Sequence, residues 1–432
     1  MEAVASSFPA FRSHNYRLYF VGQSISLIGT WMTRLATSWL VYRLTDSAFL
    51  LGMVGFLSQI PALFLSPLAG VWVDRWDRHR AMIVTQILAM VQSLALAALT
   101  LSGHVNITWV LILTLLQGLI NTFETPARQS FVIQMVEDRA DLSNAIALNS
   151  SIVNAGRLVG PAIAGLVIAA YGEGFCFLID GLSYIAVVYS LIAMKNLRPG
   201  LRNPPKDVWK ELAEGWNYIV ASAAIRWILL MLGLVSLIGM PFTVLMPIVA
   251  DKVLGGGAHT LGFLTAATGL GALACAVTLA MRKTVVGLGR SLAYAALVLG
   301  TSLILFGLSR SFWLSMVLMF FAGYGMMQQI VGSNTILQTI VADDKRGRVM
   351  SFYSLSVFGF LPVGSLFAGS IAARIGAPKT LIAGGILSIF ASIWFFGRLP
   401  SIRNVLRPVY IEMGIVPQPA PQTDDVLDTE GR

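Results

Sequence analysis

Long apolar runs alternate with short polar breaks along the whole chain, and that alternation predicts its architecture. Runs such as Met82 to Leu101 and Ile107 to Ile120 contain no charged residue. At 1.5 Å rise, about 20 helical residues match the ~30 Å hydrocarbon core of a bilayer. Twelve such spans are expected: Tyr16–Tyr42, Leu50–Val73, Ala81–Leu101, Ile107–Ser130, Asn144–Ala170, Phe175–Met194, Trp227–Ala250, Leu261–Met281, Ser291–Leu308, Phe312–Ile336, Val349–Ala373 and Lys379–Phe396. Connections are mostly short, so successive spans are antiparallel neighbours. The expected fold class is an all-α membrane protein of twelve transmembrane helices in two pseudo-symmetric six-helix bundles.

Composition supports the membrane reading. Of the 432 residues, 56% are hydrophobic and 12% charged, against roughly 25% charged in soluble domains. The net charge of +9 lies in short clusters between apolar runs, as topology signals do, so no nucleic-acid partner is expected. With both termini inside, the inner segments hold 22 Lys and Arg and the outer segments hold 5, namely Arg43, Lys252, Arg310, Arg374 and Lys379. That bias predicts cytoplasmic termini in a multi-pass protein of the cytoplasmic (inner) membrane. The first run is too long for a signal-peptide core and is expected to remain as a span.

The expected units are a first bundle over 1–194, a cytoplasmic linker over 195–224, a second bundle over 225–399 and a cytoplasmic tail over 400–432 whose end is disordered. Within the linker, Val208, Leu212, Trp216 and Ile219 share one helical face, which predicts an amphipathic helix lying on the membrane surface. The bundles repeat. Gly160, Gly165 and Gly172 match Gly364, Gly369 and Gly376 at an offset of 204, as Gln134 matches Gln338, and Leu51-Gly52 matches Leu261-Gly262 at an offset of 210. Duplicated halves around a central site are a recurring transporter plan.

The sharpest local motif is GVWVDRWDRHR, Gly70 to Arg80, at the inner end of the second span. Gly70 permits close helix packing, Asp74 can act as a buried carboxylate between helix ends, and Arg75, Arg78 and Arg80 face the inner surface. The alternative is an ordinary basic loop obeying the charge rule. The Gly–Asp–Arg spacing resembles the G-x-x-x-D-R-x-x-R pattern of the major facilitator superfamily; its copy in the second half has Ala280, Thr284 and Val285 instead. GRLVGPAIAG, comprising Gly156, Arg157, Gly160, Pro161 and Gly165, resembles the fifth-helix motif of proton-coupled exporters in that superfamily, with Ala164 in place of one glycine. Small residues bring helices together and Pro161 weakens the helix, although simple packing would use the same residues. In the fourth span, Gln117-Gly118 is preceded by Thr114 where that family's motif has arginine. Segments around Gly29-Thr30-Trp31-Met32, Thr125-Pro126-Ala127-Arg128 and Arg346-Gly347-Arg348 resemble the enterobactin-exporter-like branch, which includes siderophore exporters and macrolide or multidrug efflux proteins. The resemblance covers Phe8 to about Pro400 and implies export.

Charges inside spans are expensive and tend to be functional. Arg34, Glu124, Arg157 and Asp180 are the candidates, and the second half has no Asp or Glu deep in a span. Proton coupling would therefore rest on Glu124 or Asp180 with Arg157 as the modulating cation; a static pair holding helices together is the alternative. Gln23, Trp31, Arg34, Gln117, Asn121, Asn149, Asn154, Tyr324, Gln328 and Tyr353 are candidates to line a substrate cavity, or else pack between helices. Mixed aromatic and amide surfaces suit a large amphiphilic molecule.

Nothing in the chain reads as catalytic. It lacks a P-loop and a G-x-S-x-G elbow. The four histidines form no cluster, and the two cysteines are far apart. No cofactor and no metal are expected. The expected function is export of an amphiphilic small molecule by alternating access, with a proton as coupling ion, lipid as surroundings and a monomer as working unit. A non-transporting receptor and a polytopic membrane enzyme are the competing classes.

Overall fold

The structure, a computed structural model, describes residues 8–195, 208–282 and 284–414. The first part of the chain forms α1 (His14–Thr45), α2 (Ala48–Leu57), α3 (Ile60–Arg75), α4 (Arg78–Leu101), α5 (Ile107–Met135), α6 (Leu142–Tyr171) and α7 (Glu173–Ile192). The linker helix is α8 (Val208–Ala221). The second part forms α9 (Ala223–Ile238), α10 (Phe242–Ile248), α11 (Gly257–Ala280), α12 (Leu288–Leu308), α13 (Phe312–Ile340), α14 (Asp343–Ser354), α15 (Phe360–Ile375) and α16 (Ala377–Glu412).

Polar residues placed between the apolar runs start the helices. Asn106 Oδ1 accepts the amide of Trp109 at 3.1 Å, Asp77 Oδ1 that of Arg80 at 3.1 Å, and Ser47 Oγ that of Leu50 at 3.3 Å. Each satisfies an amide that the first helical turn cannot. Gly172 and Gly376, equivalent in the repeat, end α6 and α15 at φ +86° and +87°. A side chain is strained in that backbone conformation, which accounts for glycine in both copies.

Eleven helical segments among the described residues are long and apolar enough to cross a membrane. The first expected span is absent from that set. Helix α1 is long enough at 32 residues, but Gln23, Ser24, Ser26, Thr30, Arg34, Thr37 and Ser38 dilute its apolar character.

Several boundaries differ from those expected, and proline explains most of them. The second span breaks at Ser58 and Gln59, where Pro61 sits in the first turn of α3. The seventh pauses at Pro241 before α10 and ends in a π turn, Val249–Val253. The eleventh contains a second π turn, Leu355–Gly359, just before Pro362, which has no N–H to donate into the helix. The twelfth runs past residue 399 and through Pro400 and Pro408 to Glu412, with Ile402, Leu406 and Tyr410 buried. Helix α5 continues five residues past the expected end to Met135, which puts Arg128 well inside it. The expected disorder at the end of the tail falls outside the described residues.

Helices before residue 195 pack mainly on one another: α1 on α6 and α7, α4 on α5 and α7, and α3 on α5. After residue 222, α11 and α12 pack on α13, and α9 and α12 pack on α16. The two groups meet extensively along two helix pairs, α6 with α11 and α2 with α15. The linker helix α8 docks on α14, where Glu214 Oε2 stands 2.8 Å from Arg348 Nη1 and Trp216 packs near Phe352 at 6.1 Å between centroids. Ile219 is buried and Trp216 exposed; the side chains of Val208 and Leu212 lie outside the described residues.

Candidate functional site

The repeated glycines build the two junctions. A Cβ on Gly165 would stand 2.9 Å from the Cα of Gly262 and 3.0 Å from the carbonyl of Ala258. A Cβ on Gly369 would stand 2.8 Å from the Cα of Gly52 and 2.6 Å from the carbonyl of Ala48. Only glycine lets these backbones approach so closely. The sequence offsets relate Gly52 to Gly262 and Gly165 to Gly369; in space each member of one pair touches a member of the other.

Polar contacts close the same end of the molecule. The Tyr42 hydroxyl donates to Asp251 Oδ2 at 2.6 Å. Lys252 Nζ donates to Asp46 Oδ2 at 2.6 Å. Both contacts cross from the first helix group to the second. Asp46 is the only non-glycine residue with positive φ (48°) among the described residues, and aspartate is among the few types that tolerate this backbone. Beside them, Arg43 binds Glu173 through both guanidinium positions, at 2.7 and 3.1 Å. Sequence reading treated Arg43 and Lys252 as topology charges, because their partners are about 130 and 206 residues away.

Deeper in the first group, Trp31 is the centre of a cationic cluster. The Arg34 guanidinium carbon lies 4.7 Å from the Trp31 ring centroid and that of Arg157 lies 5.2 Å away. Arg157 also reaches the second group, with Nη1 3.9 Å from Met327 Sδ. The fifth-helix motif holds this indole in place. A Cβ on Gly160 would fall 2.6 Å from Trp31 Cβ, and one on Gly156 would fall 3.0 Å from Trp31 Cδ1. Gly156 and Gly160 thus face α1 in their own group, while Gly165 and the carbonyl of Pro161 face Gly262 across the junction.

The two carboxylates have separate surroundings. Asp180 is 2% exposed, accepts from Ser93 Oγ at 3.0 Å, and packs against Gly29. Among the described residues its Oδ1 makes no well-formed hydrogen bond, although the Thr33 hydroxyl, itself without another partner, stands near the carboxylate; a buried carboxylate oxygen left so is costly unless a proton or a rearrangement satisfies it. Glu124 accepts from Gln86 Nε2 at 3.2 Å and faces Arg128 one helical turn on at 3.9 Å. The cation in electrostatic reach of both Asp180 and Glu124 is Arg34; Arg157 is occupied by Trp31 and Met327. Arg128, Ser93 and Gln86 were not among the sequence candidates. A cation four residues after Glu124 was the available signal for Arg128.

Other candidates are distributed. Gln117 donates to Asn121 at 3.0 Å, Tyr16 to Asn149 at 3.3 Å, and Asn154 to the carbonyl of Ser150 at 2.9 Å. Gln23 is buried, and among the described residues its carbonyl oxygen has no partner. In the second group, Tyr324 meets Thr278 at 3.1 Å, Gln328 donates to Ser291 at 3.0 Å and accepts from Cys275, and Tyr353 donates to the carbonyl of Ile330 at 3.0 Å. Gln328 and Tyr353 are buried, held by the helices of their own group. In the second-span motif, Gly70, Asp74 and Arg75 belong to α3, but their side-chain surroundings lie outside the described residues; Arg78 is half-buried and Arg80 exposed.

Known proteins place this arrangement. The chain is 26% identical over 387 residues to the staphyloferrin A transporter of Staphylococcus aureus, covering 88% of this chain and 95% of that protein. It is 25% identical over 370 residues to the multidrug efflux pump Tap of Mycolicibacterium fortuitum, covering 82% and 88%. A bacterial homologue of the human lysosomal transporter Spinster, solved inward-facing and occupied, superposes with a TM-score of 0.73 at 14% identity over 91% of this chain and 98% of that one. The transporter PepTSo superposes with a TM-score of 0.71 at 13% identity, over 91% and 99%. The family model for transmembrane secretion effectors matches residues 5–409. The chain therefore belongs to the transmembrane secretion effector family of the major facilitator superfamily: it is a multi-pass membrane transporter of small molecules, and not an enzyme.

Proposed function

We propose that the chain exports an amphiphilic small molecule from the cytoplasm by alternating access, driven by the proton gradient across the inner membrane. The observation that carries this reading is the pair of glycine junctions. They close one end of the molecule by backbone contact between the two helix groups, with Tyr42–Asp251 and Asp46–Lys252 as locks. Contacts of this kind can part without unpacking either group, as a rocking mechanism requires. Helix α1 serves as the twelfth span. The groups correspond to bundles 1–194 and 225–399, joined by the linker 195–224.

The charge bias of 22 to 5 makes the closed end the outer one and puts both termini in the cytoplasm. In this state the substrate site opens inward, and a monomer suffices. Asp74 acts at the inner gate, forming a contact when that end closes. Names of relatives include a siderophore transporter and a multidrug pump, so both remain within the substrate range of the reading.

Coupling rests on Asp180 and Glu124. A carboxylate in a spanning helix, within the field of Arg34, changes its affinity for a proton when rocking alters its exposure or its distance from that cation. Proteoliposomes with an imposed pH gradient test this. Asp180→Asn or Glu124→Gln is expected to abolish uphill export while substrate binding survives, and Asp74→Asn is expected to slow transport at matched protein level. Normal concentration of substrate by the double carboxylate mutant would remove proton coupling from these residues. Failure of the wild type to move any solute would favour the receptor class.

A further inference from the structure

The intramembrane charges do not balance pairwise. Arg128 has Glu124 at 3.9 Å. Among the described residues, Arg34 and Arg157 have no carboxylate within ion-pair distance; Arg34 feels Asp180 and Glu124 only from farther off, and each guanidinium lies against the same indole, at 4.7 and 5.2 Å. Asp180 is turned toward Ser93. Arg157 donates to a thioether sulfur, a weak acceptor. Cation–π contact with Trp31 attracts each guanidinium, but it supplies no countercharge.

Exposure says where these cations look. Arg34 is exposed and Arg157 half-buried. A guanidinium in a spanning helix with no carboxylate in contact faces a water-filled space or the bundle interior, not lipid. Trp31 beneath them packs on Gly156 and Gly160 of α6, and Arg157 touches Met327 of the other group. The cations therefore border the space between the two groups. With both forks near one ring centroid, their carbon atoms are less than about 10 Å apart. Guanidinium forks match carboxylate geometry in a bidentate way. The second half places no Asp or Glu deep in a span, so a cationic cargo would find no carboxylate on that side.

We propose that the cargo is an amphiphilic anion carrying carboxylate groups, seated with its acidic groups on Arg34 and Arg157 and an apolar or aromatic face on Trp31. The two guanidiniums repel one another, and an anion between them relieves that repulsion. A cationic amphiphile meets the same pair as a barrier. This assignment rests on the export reading for its direction but not for its chemistry.

The test compares two probes with one fluorophore, using purified full-length protein in neutral detergent. Dansylglutamate carries two carboxylates, and dansylcadaverine carries an ammonium group. Fluorescence anisotropy is expected to show at least tenfold tighter binding of dansylglutamate, weakening with added salt. Arg34→Gln with Arg157→Gln is expected to remove the preference, and the corresponding lysine variants to keep part of it. If the glutamine variants do not fold, the wild-type preference and its salt dependence still decide. Equal affinities, tighter dansylcadaverine binding, binding of neither probe, or an unchanged preference in the folded double variant would overturn the assignment. Binding is read without transport, so a protein that prefers the dicarboxylate yet moves no solute under a pH gradient refutes export and leaves the cargo class standing.

Discussion

Replacing Gly165 with alanine should unlock the closed end. The added methyl group would meet the Cα of Gly262 at 2.9 Å, the carbonyl of Ala258 at 3.0 Å and the Cα of His259 at 3.2 Å. All three atoms are backbone of α11, so no side-chain rotation can relieve the contact. Helices α6 and α11 must move apart by about half an ångström or more to restore ordinary van der Waals spacing. Overpacking of this kind costs about 1–3 kcal/mol. The cost falls on the state in which α6 and α11 touch and vanishes when they part. The equilibrium should therefore shift toward opening by roughly five- to 150-fold.

A cysteine pair at Asp46 and Lys252, bridged by a short bifunctional thiol reagent, reads the closed state, since the two native side chains meet there. The native thiols, Cys176 and Cys275, are buried and give little background. Cross-linking should slow at least fivefold in Gly165→Ala, and likewise in Gly369→Ala at the second junction. Gly397→Ala is the control, because a Cβ there has no neighbour within 4 Å. An unchanged cross-linking rate in Gly165→Ala, with the control also unchanged, would refute the view that glycine contact sets the closed state.

The two locks should differ in weight. Asp46 and Lys252 are both well exposed, so Lys252→Ala should cost under about 1 kcal/mol of closure, whereas Tyr42→Phe removes a partly buried charge-assisted bond worth about 1.5–3 kcal/mol; spin labels at Leu44 and Leu254 should separate more in the tyrosine variant. Reporters placed after Gly414 and within 196–207 should both register the cytoplasm, and an external signal from either would reverse the orientation. An exported dianion should also respond to membrane potential, by about 2.3 kcal/mol per charge per 100 mV; valinomycin-clamped proteoliposomes should show faster efflux of dansylglutamate from a negative interior, and indifference to potential would count against an anionic cargo.

Much of the fold could be read from the apolar runs, because each run is one bilayer thick and few charges interrupt it. The internal breaks could not. Pro61, Pro241 and Pro362 each sit where a continuous span was expected, while Pro400 and Pro408 sit inside a helix that continues past them. Proline alone does not say whether neighbours will resatisfy the freed carbonyl. Arg128 falls near the inner end of the expected fourth span, and that it faces Glu124 one turn back is seen only in α5. The intramembrane arginines were visible as isolated charges. That Arg34 and Arg157 share Trp31 depends on α1 and α6 packing together, which no spacing within either helix encodes. Tyr42, Asp46 and Asp251 are ordinary span-end residues until the second helix group arrives.

The repeat behaves differently at the junctions and in the chemistry, and the physical demands explain why. A close glycine contact needs a small residue on both surfaces. Gly165 requires Gly262, and Gly369 requires Gly52, so the junctions draw on both copies and both copies have kept them. Charge makes no such demand on a partner in the other half. Gly70, Asp74 and Arg75 have Ala280, Thr284 and Val285 as their counterparts, and the deep carboxylates occur in the first half alone. Rocking can therefore remain symmetric while recognition does not. One half carries Trp31, Arg34, Arg157, Asp180 and Glu124, and the other supplies the surface against which they open and close. Any shift in the balance between open and closed states acts through two equivalent junctions, but only the first half carries the charges that let cargo and coupling ion bias it.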